Sequence, residues 1–185
     1  MHLNNLPSYC TALLSLKAES SLSFSEIANT IGKPEVWTTA LFFGQAKADQ
    51  STAESLLDAL GSKRDNKEIS YQAEEDGSSK TLSRDFIIKG LIGEGMGGMI
   101  ERGGTWEFPP KDPVLYRLYE VLVVYGWSYK ALIHEKFGDG IMSAIGFRTS
   151  LEKKKDETGD RVVITLDGKF LPYSQTDQWD MSLSK

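Results

Sequence analysis

The sequence predicts an α+β protein, mostly helical: an N-terminal helical bundle of helix-turn-helix type followed by a small C-terminal α/β domain. Three observations carry this expectation. Between residues 6 and 61, stretches rich in Leu, Ala and Ser alternate with Gly and Pro stops. At Asp112-Pro113, a helix N-cap and first-turn proline open a long apolar run. Beyond residue 160, two β-rich runs flank Asp167-Gly168, a hairpin signal. The 185 residues suffice for one domain or two small ones.

In the first zone, 1–61, Ser23-Phe24-Ser25-Glu26 has the pattern of a capping box, with Ser23 as N-cap and Glu26 reaching back. Gly32 ends that short helix. After Pro34 a second helix is expected over 35–43, stopping before Gly44, and a third over 51–60, stopping at Gly61. Short helix, glycine turn and short helix make a helix-turn-helix pattern. Residues 62–111 are expected to be a linker or insertion. Nearly half of the side chains over 62–85 are charged and no period shows. A strand-like apolar run, 86–92, then gives way to glycines and Pro109-Pro110. In the third zone, 112–173, helices are expected over 113–125, 128–137 and 139–145, stopped by Gly126, Gly138 and Gly146. Strands are expected over 147–152, 161–166 and 169–171, the last two joined by a turn at Asp167-Gly168. A polar tail, 174–185, closes the chain.

Composition excludes several classes. Hydrophobic residues make up 40% and charged residues 25%, so the chain is not wholly disordered. Mean hydropathy is −0.31 and no run of about 18 apolar residues occurs, so no spanning helix is expected. Residues 1–20 lack a basic segment followed by a long apolar core, and the expected location is cytoplasmic. Cys10, His2 and His134 are too few for a Cys/His zinc site within one chain. A net charge of −5 disfavours nucleic acid. So does the helix over 35–43, which has no Lys or Arg. Across 20–61, Glu26, Glu35, Asp49, Glu54 and Asp58 outnumber Lys33 and Lys47. Trp37, Phe42 and Phe43 read instead as packing or interface groups.

Other motifs carry less. Gly93, Gly95 and Gly98 fit G-x-G-x-x-G, but the breakers Gly103, Gly104, Pro109 and Pro110 leave no room for the helix that a dinucleotide site needs. His134 is a general-base candidate, although a lone helical histidine is more often structural. Lys153-Lys154-Lys155 reads as a solvated loop before a turn over 157–160, and Cys10 as a small core residue.

The chemistry concentrates in 113–125, where nearly every side chain is apolar or aromatic. Its charged members, Arg117 and Glu120, are three residues apart and share a helix face. A helix apolar all round is normally covered on most sides, so this pair is expected to be sheltered. It is either an intrahelical ion pair or an arginine oriented by a glutamate toward an anion. Gly138 and Gly140 bracket a turn expected to open a helix, whose free N–H groups favour an anion. Ser143 would add a hydroxyl there, or serve as a small packing residue.

Three runs resemble the cyanases (cyanate hydratases, or cyanate lyases). The first is Asp112-Pro113-Val114-Leu115-Tyr116-Arg117-Leu118-Tyr119-Glu120 with Val124-Tyr125-Gly126. The second is Lys130-Ala131-Leu132-Ile133-His134-Glu135-Lys136-Phe137-Gly138-Asp139-Gly140-Ile141-Met142-Ser143-Ala144-Ile145. The third is Asp160-Arg161-Val162-Val163-Ile164-Thr165-Leu166-Asp167-Gly168-Lys169-Phe170-Leu171-Pro172. Glu35-Val36-Trp37 and Leu41-Phe42-Phe43-Gly44-Gln45-Ala46 are similar to the family's N-terminal domain. The resemblance implies a λ-repressor-like N-terminal bundle and a C-terminal domain that serves dimerisation and catalysis. It places the family's catalytic arginine, glutamate and serine on Arg117, Glu120 and Ser143. It further implies bicarbonate-dependent decomposition of cyanate to ammonia and carbon dioxide through carbamate, with bicarbonate as co-substrate and no metal or organic cofactor. The implied assembly is a homodecamer of intertwined dimers with sites between dimers. Residues 62–105 are longer and richer in glycine than the family's usual connection, and the tail is extended. The alternative class is a non-catalytic helix-turn-helix regulator with a ligand-sensing C-terminal domain.

Overall fold

The computed structural model describes residues 6–62, 68–72, 78–93 and 108–174. The chain divides into two units, residues 1–105 and residues 106–185.

The first unit begins with four helices: α1 (Ser8–Ser20), α2 (Phe24–Ile31), α3 (Glu35–Phe42) and α4 (Gln50–Ala59). The capping box at α2 forms. Ser23 Oγ accepts the Glu26 N–H at 3.2 Å, and Glu26 Oε2 accepts the Ser23 N–H at 2.8 Å. The hydrogen bonds from Ser23 hold the Glu26 carboxyl below its ordinary range. Gly32 ends α2 at φ +65°, a conformation glycine adopts without strain. Asp49 caps α4 by accepting the Thr52 N–H at 2.7 Å. Cys10, Leu13, Ile27, Leu41, Phe42, Leu56 and Leu57 are fully buried together. Burying each large aliphatic or aromatic side chain contributes about 1.5–3 kcal/mol. Phe42 meets Phe24 edge-on, with centroids 5.1 Å apart. Trp37 and Phe43 pack against the same core, as expected.

The linker expected over 62–111 is corrected where the chain is described. Strands β1 (Glu68–Gln72) and β2 (Ser79–Ser83) pair antiparallel, Ile69 opposite Leu82, and bury Ile69 and Tyr71 in the same core. The run over 86–92 belongs to a helix, α5 (Arg84–Ile92), not a strand. Ser83 caps it by accepting the Phe86 N–H at 3.1 Å. Ile87, Ile88 and Leu91 fall on one helical face and are buried. Arg84, 6% exposed, binds α5 to the end of α4. It donates to the carbonyls of Ser62 and Glu54 and pairs with Asp58 at 2.7 Å. Of the glycine motif only Gly93 lies within the described residues; the polar tail from 175 onward lies outside them.

The second unit holds α6 (Pro113–Phe137), β3 (Gly140–Lys154) and β4 (Arg161–Pro172). Asp112 caps α6, accepting the Val114 and Leu115 N–H groups at 2.9 and 3.1 Å. Three expectations are corrected here. The helix does not stop at Gly126. A single glycine costs about 1 kcal/mol in a helix interior, and Trp127 onward continues the pattern. Residues 140–145 are strand, not helix, so no helix N-terminus forms at Gly138–Gly140. Asp167 and Gly168 make no turn: they lie inside β4 opposite Arg148 and Phe147. The chain reverses over 155–160 instead. There Asp156 Oδ1 accepts the Thr158 N–H at 3.0 Å, and Gly159 adopts φ +125°. Arg148 and Asp167 form a cross-strand ion pair at 2.6 Å.

The β3–β4 ladder runs from Gly140↔Pro172 to Met142↔Phe170, then resumes at Phe147↔Gly168 and continues to Lys154↔Arg161. Residues 143–146 therefore stand opposite Lys169 alone, a wide bulge. Phe137 stacks on Phe170, with centroids 5.4 Å apart, anchoring the end of α6 to the hairpin. None of the residues of α6 is buried. Among the described residues no helix is long and apolar enough to cross a membrane.

Candidate active site

Arg117 and Glu120 occupy the second turn of α6, where the three-residue spacing brings their side chains together. Arg117 Nη1 donates to Glu120 Oε2 at 2.5 Å. That hydrogen bond, and then the Glu120 charge, raise the Arg117 pKa further above its ordinary value, so the guanidinium stays charged. The Tyr116 ring lies 6.0 Å from the Arg117 guanidinium carbon. The remaining guanidinium donors have no protein partner among the described residues. The pair is not sheltered within one chain: the Arg117 side chain is 71% exposed and that of Glu120 44%.

Ser143 lies in the bulge of β3 and is 5% exposed. Its Oγ accepts the N–H groups of Ile145 and Gly146, each at 3.0 Å. The sequence led to the expectation of free helix N–H groups beside a serine. The structure instead turns two backbone N–H groups onto the serine itself. Among the described residues, no hydrogen bond links Ser143 to Arg117 or Glu120. Arg117 lies about 30 Å along the helix axis from Phe137, at the end of α6 that leads into β3.

His134 sits in the last turn of α6, 3.3 Å from Lys130 Nζ and 3.9 Å from Asp139 Oδ1. It joins the helix end to the turn before β3 and meets neither Arg117 nor Ser143. Lys153 and Lys154 are exposed as expected but belong to β3 rather than to a loop, paired with Val162 and Arg161, and Lys153 pairs with Asp160 at 2.5 Å. Sequence reasoning missed Gly140 and Gly168. Both lie where β3 and β4 approach too closely for a Cβ, whereas glycine in the sequence reads first as a turn former.

Residues 107–175 match the cyanate lyase C-terminal domain, a stretch that contains Arg117, Glu120 and Ser143. A cyanate hydratase of Cryptococcus neoformans var. neoformans serotype D (strain JEC21) is 61% identical over 180 residues, 95% of this chain and 97% of that protein. The chain belongs to the cyanase family. Another cyanate hydratase, from Laccaria bicolor, is 42% identical over 174 residues, 94% of this chain and 91% of that protein. The crystal structure of cyanase from T. urticae superimposes with a TM-score of 0.63 at 30% identity, covering 88% of this chain and 96% of that one. The cyanase match begins at residue 107, next to the boundary at which the second unit begins.

Proposed function

We propose that this chain is a cyanate hydratase: it decomposes cyanate with bicarbonate to ammonia and carbon dioxide by way of carbamate. The curated relatives are cyanate hydratases over nearly their whole lengths, which favours an enzyme over a regulator. The observation that carries the reading is the Arg117–Glu120 pair, a permanently charged guanidinium exposed in the apolar first half of a helix of which no residue is buried.

The chemistry asks for such a cation. Bicarbonate oxygen attacks the cyanate carbon, and the adduct carries both negative charges. Its C–O bond then breaks to release carbon dioxide and leave carbamate, which takes up protons and splits into ammonia and a second carbon dioxide. In total, bicarbonate, cyanate and two protons give ammonia and two carbon dioxide molecules. Two anions must be held together against their repulsion, and the doubly charged adduct stabilised most. Arg117 supplies a planar fork suited to carboxylate-like oxygens. Glu120 holds one arm of that fork and leaves the rest for substrate. Ser143 offers its hydroxyl to an anionic oxygen. No metal or organic cofactor takes part.

The site is shared between chains. Arg117 and Ser143 do not meet within one chain, and one arginine is little charge for a dianion. A symmetric assembly brings equivalent side chains from neighbouring copies into one site. The assembly is a homodecamer of intertwined dimers, with sites between dimers that draw on the apolar faces of α6. The protein works in the cytoplasm and binds neither nucleic acid nor membrane. Arg117→Lys tests the reading: it keeps the charge but not the fork, and turnover should fall about 100-fold or more. A variant with near wild-type turnover in a correctly assembled sample would reduce Arg117 to a structural ion pair.

A further inference from the structure

Gly168 stands at one of two points where β3 and β4 leave no room for a Cβ, the other being Gly140. A Cβ at 168 would lie 2.5 Å from the Ser143 carbonyl oxygen, and also well inside contact distance of Met142 Cγ. One of these obstacles is backbone, so no change of rotamer relieves it. Gly168 is also the residue at which the ladder resumes, facing Phe147, after residues 143–146 have bulged opposite Lys169. The missing side chain thus lets the start of the bulge close against β4.

What the closed bulge holds is the Ser143 hydroxyl. Oγ accepts from Ile145 and Gly146, which uses both of the lone pairs a hydroxyl offers. Its own proton has no acceptor among the described residues. A serine so arranged can only donate, which is the polarity an anionic oxygen requires. We infer that Gly168 is a positioning residue for Ser143: its lack of a side chain seats the 143–146 bulge, and the seated bulge fixes the serine hydroxyl as a donor. This rests on the assignment of Ser143 to the anion site.

An alanine at 168 would push the Ser143 carbonyl away from β4, open the bonds from Ile145 and Gly146, and release the hydroxyl to rotate. The donor would then be lost mainly where charge has accumulated, in the dianionic adduct. The effect should therefore fall on kcat more than on KM.

The test uses the full-length assembled protein in four forms: wild type, Gly168→Ala, Met142→Ala/Gly168→Ala and Ser143→Ala. Ammonia release is measured with cyanate and bicarbonate varied separately, assembly by light scattering, and backbone opening by peptide-level hydrogen–deuterium exchange across 141–147. For Gly168→Ala, kcat should fall about tenfold or more while KM for either substrate changes less than about threefold. Exchange across 141–147 should quicken, as it should in Ser143→Ala, which removes the acceptor without adding bulk. The double variant should stay slow, because the carbonyl clash remains when the methionine is trimmed. An assembled Gly168→Ala enzyme with unchanged kcat would overturn the inference, as would restored turnover in the double variant. Unchanged exchange in Ser143→Ala would overturn it too, and that comparison needs neither activity nor a folded residue-168 variant. A wild type that releases no ammonia from cyanate defeats the functional reading instead, while the exchange data still decide whether Ser143 holds the bulge.

Discussion

At the residue scale, the same pair of atoms admits two uses, and context separates them. Arg84 and Arg117 each sit beside a carboxylate. Arg84 is 6% exposed and spends its donors on two carbonyls and Asp58, so it fastens helices. Arg117 is 71% exposed and gives one donor to Glu120. Replacing Glu120 with Gln should therefore lower turnover through loss of orientation while leaving assembly intact; rates alongside light-scattering masses check this. A stability effect is expected at Ser23 and Glu26. The folded-state pKa of Glu26 lies below its unfolded value, mainly through the backbone bond from Ser23. Its contribution is complete above the ordinary glutamate value and is lost as pH falls through the lowered one. Ser23→Ala should lower the melting temperature of the first unit by about 5 °C near neutral pH. The part of the gap that comes from the Ser23 hydroxyl bond to the Glu26 carboxylate should shrink in a series of melts at falling acid pH, as Glu26 protonates.

At the element scale, the legible parts of the fold were those written in short local patterns. The capping box at Ser23-Glu26, the stop at Gly32 and the cap at Asp112 each depend on neighbours within four residues, and all form. The illegible parts depend on partners distant in sequence. Residues 68–83 look solvated because charges interrupt Ile69, Tyr71 and Leu82, yet pairing of β1 with β2 sends Ile69 and Tyr71 into the core beside α1. Asp167-Gly168 carries a turn signature, but the chain reverses at Asp156–Gly159, and glycine at 168 serves close strand approach. Gly126 marked a false stop because one glycine does not outweigh 24 other helical residues. The contact of Arg117 with Glu120 was readable from their spacing, whereas a site role for these two and for Ser143 came from the family resemblance. That Ser143 sits in a strand bulge was not, since the glycines around it suggested a helix start.

α6 also makes a prediction of its own. Leu122, Val123, Val124, Tyr125 and Trp127 are all exposed in the single chain, a continuous apolar surface that water disfavours. Leu122→Glu should be harmless if the chain works alone, because the side chain is 59% exposed. Covered by a neighbouring copy, the same change buries an unpaired carboxylate. We expect it to reduce the light-scattering mass to that of smaller species and to abolish turnover. An unchanged mass would show that this part of α6 faces solvent.

At the scale of the whole molecule, the two units have separate characters. The first closes its own core around α1 to α5, β1 and β2. The second has a helix without a buried residue and a two-stranded hairpin, and it contains all three proposed site residues. The proposed assembly would let such a unit bury its apolar surface against copies of itself. Ten chains of 20.6 kDa give about 206 kDa, the mass that light scattering should report for the active species. If the site is shared between chains as proposed, dilution that breaks the assembly should remove activity in parallel. Ammonia release from cyanate, with and without bicarbonate, decides whether the chain is a cyanate hydratase. Stoichiometric ammonia is expected when both anions are supplied and none when bicarbonate is withheld; an assembled, folded sample that makes no ammonia with both present would contradict that function.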